Sequence, residues 1–155
     1  MQVNWNVHFS EVLNHYLVDT VGGFDIVIAN TPYIKEYTNR YAFDGLRKSQ
    51  YYQGKMDLWY GFACKMLDLL KPNGVECFIA QNNWITSAGA SIFRNKVLSE
   101  TEIKTFIDFG NYKVFETAGI QTMIYVLQKK NPRNSYDVRY SVLKNEKIKV
   151  RKSFV

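Results

Sequence analysis

Among its 155 residues the chain has two cysteines, two histidines and three prolines. Cys64 and Cys77 stand inside apolar segments without metal-ligand spacing, so neither a zinc module nor a disulfide framework organises the fold. They read as buried, reduced thiols, which suits a cytoplasmic protein. His8 and His15 lie in an N-terminal stretch that assigns them no role. No Ser–His, Cys–His, paired-carboxylate or metal-binding constellation is recognisable, which removes the usual bases for hydrolysis and metal-assisted chemistry. No apolar run approaches the ~18 residues of a membrane-spanning helix, and the N-terminus has no signal-peptide pattern, so no membrane partner is expected. Acid is scarce too: 14 Asp and Glu against 20 Lys and Arg leave a net charge of +6. That balance favours a polyanionic partner, nucleic acid first.

What is present is apolar and aromatic. Hydrophobic residues make up 46% and aromatics 15% of the chain, enough for one globular domain with a real core. Lys144, Lys147, Lys149, Arg151 and Lys152 crowd the C-terminus, as a solvated tail or as a phosphate-contacting segment.

The patterning predicts an α/β fold. Val3 to Phe9 alternates as a short strand would, and Val12 to Val18 suits a helical turn before Gly22-Gly23. Asp25 to Ala29 reads as a buried strand, followed by a polar, Tyr-rich loop from Lys35 to Gly54, a length usually functional or mobile. Lys55 to Leu70 carries a wide apolar stripe and is stopped by Lys71-Pro72-Asn73-Gly74; Gly61 within it suggests close packing. Val75 to Ala80 is the next strand, then a helix capped at Thr86 or Ser87 and running to about Leu98. Glu102 to Phe109 and Ile120 to Gln128 follow as strands; the latter is apolar on both faces and therefore central. With no helix between them, those two form an antiparallel hairpin with a long loop. Tyr136 to Leu143 and Lys147 to Val150 are weaker strand candidates. The expected architecture is a mixed, mostly parallel sheet with helices on both faces.

The strand Phe24 to Ala29 ends in Asn30-Thr31-Pro32-Tyr33, a neutral polar side chain and a flat ring at one strand end. Such a pair suits a planar, amino-bearing base. Downstream come Gly54-Lys55-Met56-Asp57-Leu58-Trp59-Tyr60-Gly61-Phe62, Leu69-Leu70-Lys71-Pro72-Asn73-Gly74, Asn83-Trp84-Ile85-Thr86-Ser87, Ile107-Asp108-Phe109-Gly110 and Lys113-Val114-Phe115. In order and spacing these resemble the second half of the N6-adenine DNA methyltransferases, the fused type II restriction-modification enzymes above all, over about residues 22–130.

The resemblance implies a partial S-adenosylmethionine-dependent, Rossmann-like methyltransferase fold within a single domain, with residues 131–155 a basic extension. It implies that the Asn30 side chain and the Thr31 carbonyl accept the amino hydrogens of adenine N6. Localising the nitrogen lone pair in this way readies a poor nucleophile for attack on an activated methyl group. Tyr33 would stack on a base flipped out of double-stranded DNA and Phe115 would approach it from the side. Pro32 completes the catalytic tetrapeptide. Phe62 would line the pocket for the cofactor's adenine, with Asn30 and Pro32 also on the cofactor's side. The family usually has Pro where this chain has Thr31, which loosens the turn while keeping a carbonyl. A methyltransferase of a protein glutamine or an RNA amine, or a non-catalytic assembly or nucleic-acid docking subdomain, are the competing readings.

Residues 1–29 supply neither a Gly-rich turn after a strand nor an acidic residue for a ribose, both of which a nucleoside cofactor needs. The expectation is therefore of a fragment, inactive alone, lacking its N-terminal cofactor half and C-terminal target-recognition region. Its Ile26-Val27-Ile28 strand edge would then be covered by Val3 to Phe9, or would drive self-association.

Overall fold

The computed structural model describes residues 4–13, 22–115 and 119–143. The strand proposed at Lys147 to Val150, the basic cluster from Lys144 to Lys152, His15 and most of the helical turn toward Val18 lie outside the described residues. The elements in chain order are α1 (Trp5–His8), α2 (Ser10–Leu13), β1 (Phe24–Asn30), α3 (Leu58–Leu69), β2 (Leu70–Gln81), α4 (Ser91–Glu100), β3 (Thr101–Asp108), β4 (Thr122–Lys129) and β5 (Arg139–Val142).

One five-stranded sheet runs in the order β1-β2-β4-β3-β5. β1 is parallel to β2 and β5 to β3, while β4 is antiparallel to both its neighbours. Four strands thus point one way and β4 alone is reversed, the geometry expected of a hairpin closing a parallel sheet. β4 is central because both of its faces are apolar: Met123, Tyr125 and Leu127 are fully buried on one, Ile124 and Val126 half-buried on the other.

The core is aromatic. Trp59 of α3 and Phe93 of α4 meet with ring centroids 5.3 Å apart, and both reach Tyr125 of β4, at 6.3 and 5.9 Å. Phe78 of β2 stacks on the same tyrosine at 5.7 Å. α3 and α4 therefore share one face of the sheet. Among the described residues both long helices lie on this face of the sheet. On the other face the register aligns Ile26 with Val75 and Ile28 with Cys77, then Cys77 with Val126 and Ile79 with Ile124. None of these side chains joins the aromatic core, and Ile26 and Ile28 are 63% and 76% exposed.

The N-terminal stretch also differs from expectation. Residues 5–8 are helical, with Trp5 stacked on Phe9 at 5.5 Å and Phe9 edge-on to Phe24 at 5.6 Å. Trp5 and Phe9 are four apart, so the alternation that suggests a strand equally places both rings on one helical face. The stretch contacts the start of β1 and leaves Ile26 and Ile28 uncovered.

Two helix starts shift for local reasons. α3 begins at Leu58 rather than Lys55, because Gly54 and Lys55 both take positive φ, 79° and 49°, which a helix does not admit. α4 begins at Ser91 rather than after Thr86; Ala90 is its cap residue and supplies no side-chain bond. Gln53, from the long loop, takes that role: its Oε1 accepts from the Ile92 backbone N–H at 2.7 Å and the Ser91 hydroxyl at 3.0 Å. Gly61 allows the close packing its sequence position suggests, since a Cβ there would come within 2.7 Å of Leu46.

Candidate functional site

β1 ends at Asn30, in register with Ile79 of β2, so the tetrapeptide leaves the sheet at the C-terminal end of its parallel strands. In α/β sheets this is where ligands bind, because the chain must turn away and leaves a crevice. Asn30 is exposed, Thr31 is buried with its hydroxyl unpartnered, and Pro32 is exposed. Tyr33 is half-buried. Its hydroxyl donates to the Ile79 carbonyl at 2.9 Å and lies 3.2 Å from Asn30 Oδ1. A phenol has one proton, and the shorter bond takes it; the Asn30 oxygen keeps acceptor capacity. Burial pushes the Tyr33 phenol up to about 12, so it stays neutral at any physiological pH.

The second ring comes from the long β3–β4 loop. Phe115 stands 6.2 Å from Tyr33, centroid to centroid, with the planes tilted by 52°. The root of this loop is tied at Asp108, whose Oδ1 accepts from Asn82 Nδ2 at 3.1 Å and the Gly110 backbone N–H at 2.9 Å. Gly110 turns the chain at φ 55°, and Gln121 Nε2 bonds Asn111 Oδ1 at 2.6 Å across the loop's two arms. These polar residues fix where Phe115 emerges; Asp108 and Gly110 stand in a stretch the sequence singles out, while the tie to Asn82, 26 residues away, has no local signal.

Of the residues predicted from sequence, Asn30, Tyr33 and Phe115 converge at one place. Phe62 belongs to another. It is 41% exposed on α3 and lines a cavity of about 330 Å³ with Trp5, Leu46, Tyr51, Leu58 and Met66, which includes none of residues 30–33.

The chain segment after Tyr33 is built on Glu36, which sequence reading overlooks. Its carboxylate accepts from Arg47 Nη1 at 2.7 Å, from the Lys55 backbone N–H at 2.7 Å and from the Tyr52 hydroxyl. The Tyr52 bond foremost, then Arg47 and Lys55, hold the Glu36 carboxyl below the usual range against the opposing effect of burial. A short antiparallel bridge between Lys35 and Asp57 and the Leu58 N–H to Ile34 carbonyl bond at 2.8 Å tie the same segment to the start of α3. Asp57 is buried, with Oδ1 unpartnered; burial raises its carboxyl, partly countered by Lys35. Among the described residues no group of three or more His, Cys, Asp or Glu could hold a metal.

Comparisons with known proteins converge on one class. A type II methyltransferase, M.BanIII, of Aneurinibacillus aneurinilyticus is 26% identical over 122 residues, which is 74% of this chain and 21% of that protein. The chain thus spans about a fifth of the length of this curated relative. Two solved structures share the fold. The methyltransferase subunit of a type I restriction-modification system from Streptococcus thermophilus aligns with TM-score 0.56 and 24% identity, over 77% of this chain and 26% of that one. A Listeria monocytogenes protein assigned as a class I S-adenosylmethionine-dependent methyltransferase aligns with TM-score 0.57 and 17% identity, over 82% of this chain and 39% of that one. The sheet is accordingly part of a Rossmann-like methyltransferase fold. The family model described as Eco57I restriction-modification methylase matches residues 1–115, and the chain belongs to that family.

Proposed function

We propose that this chain carries the substrate-amine side of an S-adenosylmethionine-dependent DNA methyltransferase, acting on N6 of an adenine flipped out of the duplex. The observation that supports the reading is the convergence of Asn30 Oδ1, Tyr33 and Phe115 at the C-terminal end of β1. An aromatic pair with an acceptor at its edge matches a planar base with a conjugated amino group. In the present geometry the rings are 6.2 Å apart and tilted. Favourable aromatic pairs have centroids about 4.5–7 Å apart, so a base cannot stack on Tyr33 unless Phe115 swings to its edge. Phe115 is on a loop and Tyr33 is anchored to the sheet, so the loop is the part that yields.

In this reading Tyr33 holds the face of the base and its phenol stays bound to Ile79, which fixes the plane of the ring. Asn30 Oδ1 accepts one N6–H and the Thr31 carbonyl the other, drawing the nitrogen lone pair out of conjugation. Thr31, followed by Pro32, is biased to extended backbone, as the second acceptor requires. S-adenosylmethionine supplies the electrophilic methyl group. Pro32 and Asn30 would border its methyl-donating end, Phe62 lines a separate cavity that could take only a distant part of it, and the Gly-rich turn and ribose-binding acid would come from polypeptide outside these 155 residues. The isolated chain accordingly binds the flipped base and not the cofactor.

Binding alone tests this. Duplexes carrying one unpaired adenine are compared with duplexes carrying purine, which lacks the amino group, at the same position. A preference for adenine of about 1–3 kcal/mol is expected, the worth of two hydrogen bonds, and Asn30→Ala should remove about half of it, leaving the bond to the Thr31 carbonyl. Equal binding of the two bases by the unaltered chain would exclude Asn30 as the amine acceptor.

A further inference from the structure

Adjoining the strand-end site is a second concavity that the base chemistry does not use. It has a volume of about 830 Å³ and is lined by Glu36, Tyr37, Arg40, Arg47, Gly54 and Lys55. The segment that forms it, residues 35–55, carries Lys35, Arg40, Arg47, Lys48 and Lys55 against Glu36 and Asp44, a net +3 that is half of the whole chain's +6. The only acid in the lining is Glu36, and its charge is directed inward to Arg47, Tyr52 and the Lys55 backbone. Arg47 is matched to Glu36 and to Asp44. Arg40 and Lys55 are exposed and join no ion pair among the described residues.

We infer that this cleft is a phosphate-binding rim, where Arg40 and Lys55 take the DNA backbone beside the flipped nucleotide. The inference rests on the base-binding reading above. Unmatched lysine and arginine in a concave site focus a positive potential, the arrangement that gathers phosphodiesters without reading sequence. The spacing agrees. Glu36 is three residues beyond Tyr33, a chain reach of no more than about 11 Å, and each strand of DNA carries a phosphate about every 3.4 Å of axis. The cleft therefore lies within about three phosphates' rise of the base slot. Glu36, by neutralising Arg47 and ordering residues 47–55, keeps the two unmatched cations in place. Tyr37, 74% exposed, lines the same cleft.

The test is duplex binding by the full chain, followed by fluorescence anisotropy from about 50 to about 200 mM salt, a range over which counterion release is read. Arg40→Gln and Lys55→Gln should each lower the slope of log K against log salt by about 0.9, weakening all sequences alike. Lys71→Gln, at the opposite end of β1, should leave the slope unchanged. Glu36→Gln should weaken binding despite removing a negative charge, because it releases Arg47 and the loop. An unaltered slope in the Arg40/Lys55 double variant overturns the inference, as does the absence of salt-dependent duplex binding by the unaltered chain. The base reading fails separately: a lost preference for adenine over purine with the slope changes intact would sink it and leave the cleft standing.

Discussion

Two aromatic clusters in this molecule teach different lessons. Around Tyr125, the rings of Trp59, Phe78 and Phe93 are all 1% exposed or less and contact one another on several sides. At the strand end, Tyr33 and Phe115 form one tilted contact, each half-buried, with an exposed asparagine at the rim. The first cluster has every ring face occupied by protein and can only hold the fold. The second keeps ring surface exposed beside a hydrogen-bond acceptor, which makes it the candidate for binding. Ring separations are similar in the two places; what differs is how much of each ring remains available.

Substitutions should separate the two. Trp59→Ala should produce the largest effect, a loss of about 3–5 kcal/mol in unfolding free energy by urea titration, because it opens a cavity in a fully packed site. If Trp59→Ala cost less than Tyr33→Ala, the division into packing and recognition clusters would be wrong. Tyr33→Ala should lower affinity for an unpaired adenine by about 1–3 kcal/mol, the usual worth of an aromatic stacking platform, while the melting temperature moves little. Phe115→Ala should show the same pattern with a smaller loss, since an edge contact gives less than a stacked face.

The core cluster contains one group that gives it a pH signature. Glu76 is fully buried beneath Tyr125, whose hydroxyl donates to Oε1 at 2.8 Å, and its Oε2 has no partner. Burial raises its carboxyl well above the usual range, with the Tyr125 bond and Lys96 acting in the opposite direction. The native state therefore binds this proton more tightly than the unfolded chain. Its contribution is complete below the ordinary glutamate value of about 4.3 and is lost as pH rises through the raised folded value. Glu76→Gln should flatten that decline, so the variant's stability relative to the unaltered chain should grow from about pH 5 to about pH 8, above the unfolded value. A constant difference across that range would show that Glu76 is ionised in the fold. Tyr33 and Phe115 should contribute nothing to this dependence.

The smallest expected effect concerns the open face of the sheet. Ile26→Thr and Ile28→Thr should change stability by no more than about 0.5 kcal/mol, because both side chains already face solvent. If the apolar edge drives self-association, sedimentation should show less dimer in these variants. A monodisperse monomer in the unaltered chain would remove that role.

Much of this was legible in the sequence where the signal is local. β4 declares itself central through apolar residues at consecutive positions from Met123 to Leu127. The strand end at Asn30 follows from an apolar run broken by Pro32. The N-terminal segment misleads because Val3 to Phe9 is too short to separate a period of two from a helical spacing of four. The start of α4 misleads because its capping group, Gln53, arrives from 38 residues away. The Glu36 cluster and the Asn82–Asp108 tie at the root of the Phe115 loop have no local signal for the same reason: each joins residues well separated in the chain.

The proposed role of Asn30, accepting from the amine that receives the methyl group, is decided by methyl transfer to adenine N6 in duplex DNA, measured with the cofactor-binding segment supplied and comparing Asn30→Ala with the unaltered protein. Asn30→Ala should lose roughly 10²-fold or more in rate, the scale seen when one group stabilising a transition state is removed, with S-adenosylmethionine affinity largely preserved. Methylation at an undiminished rate by the Asn30→Ala enzyme would contradict that role.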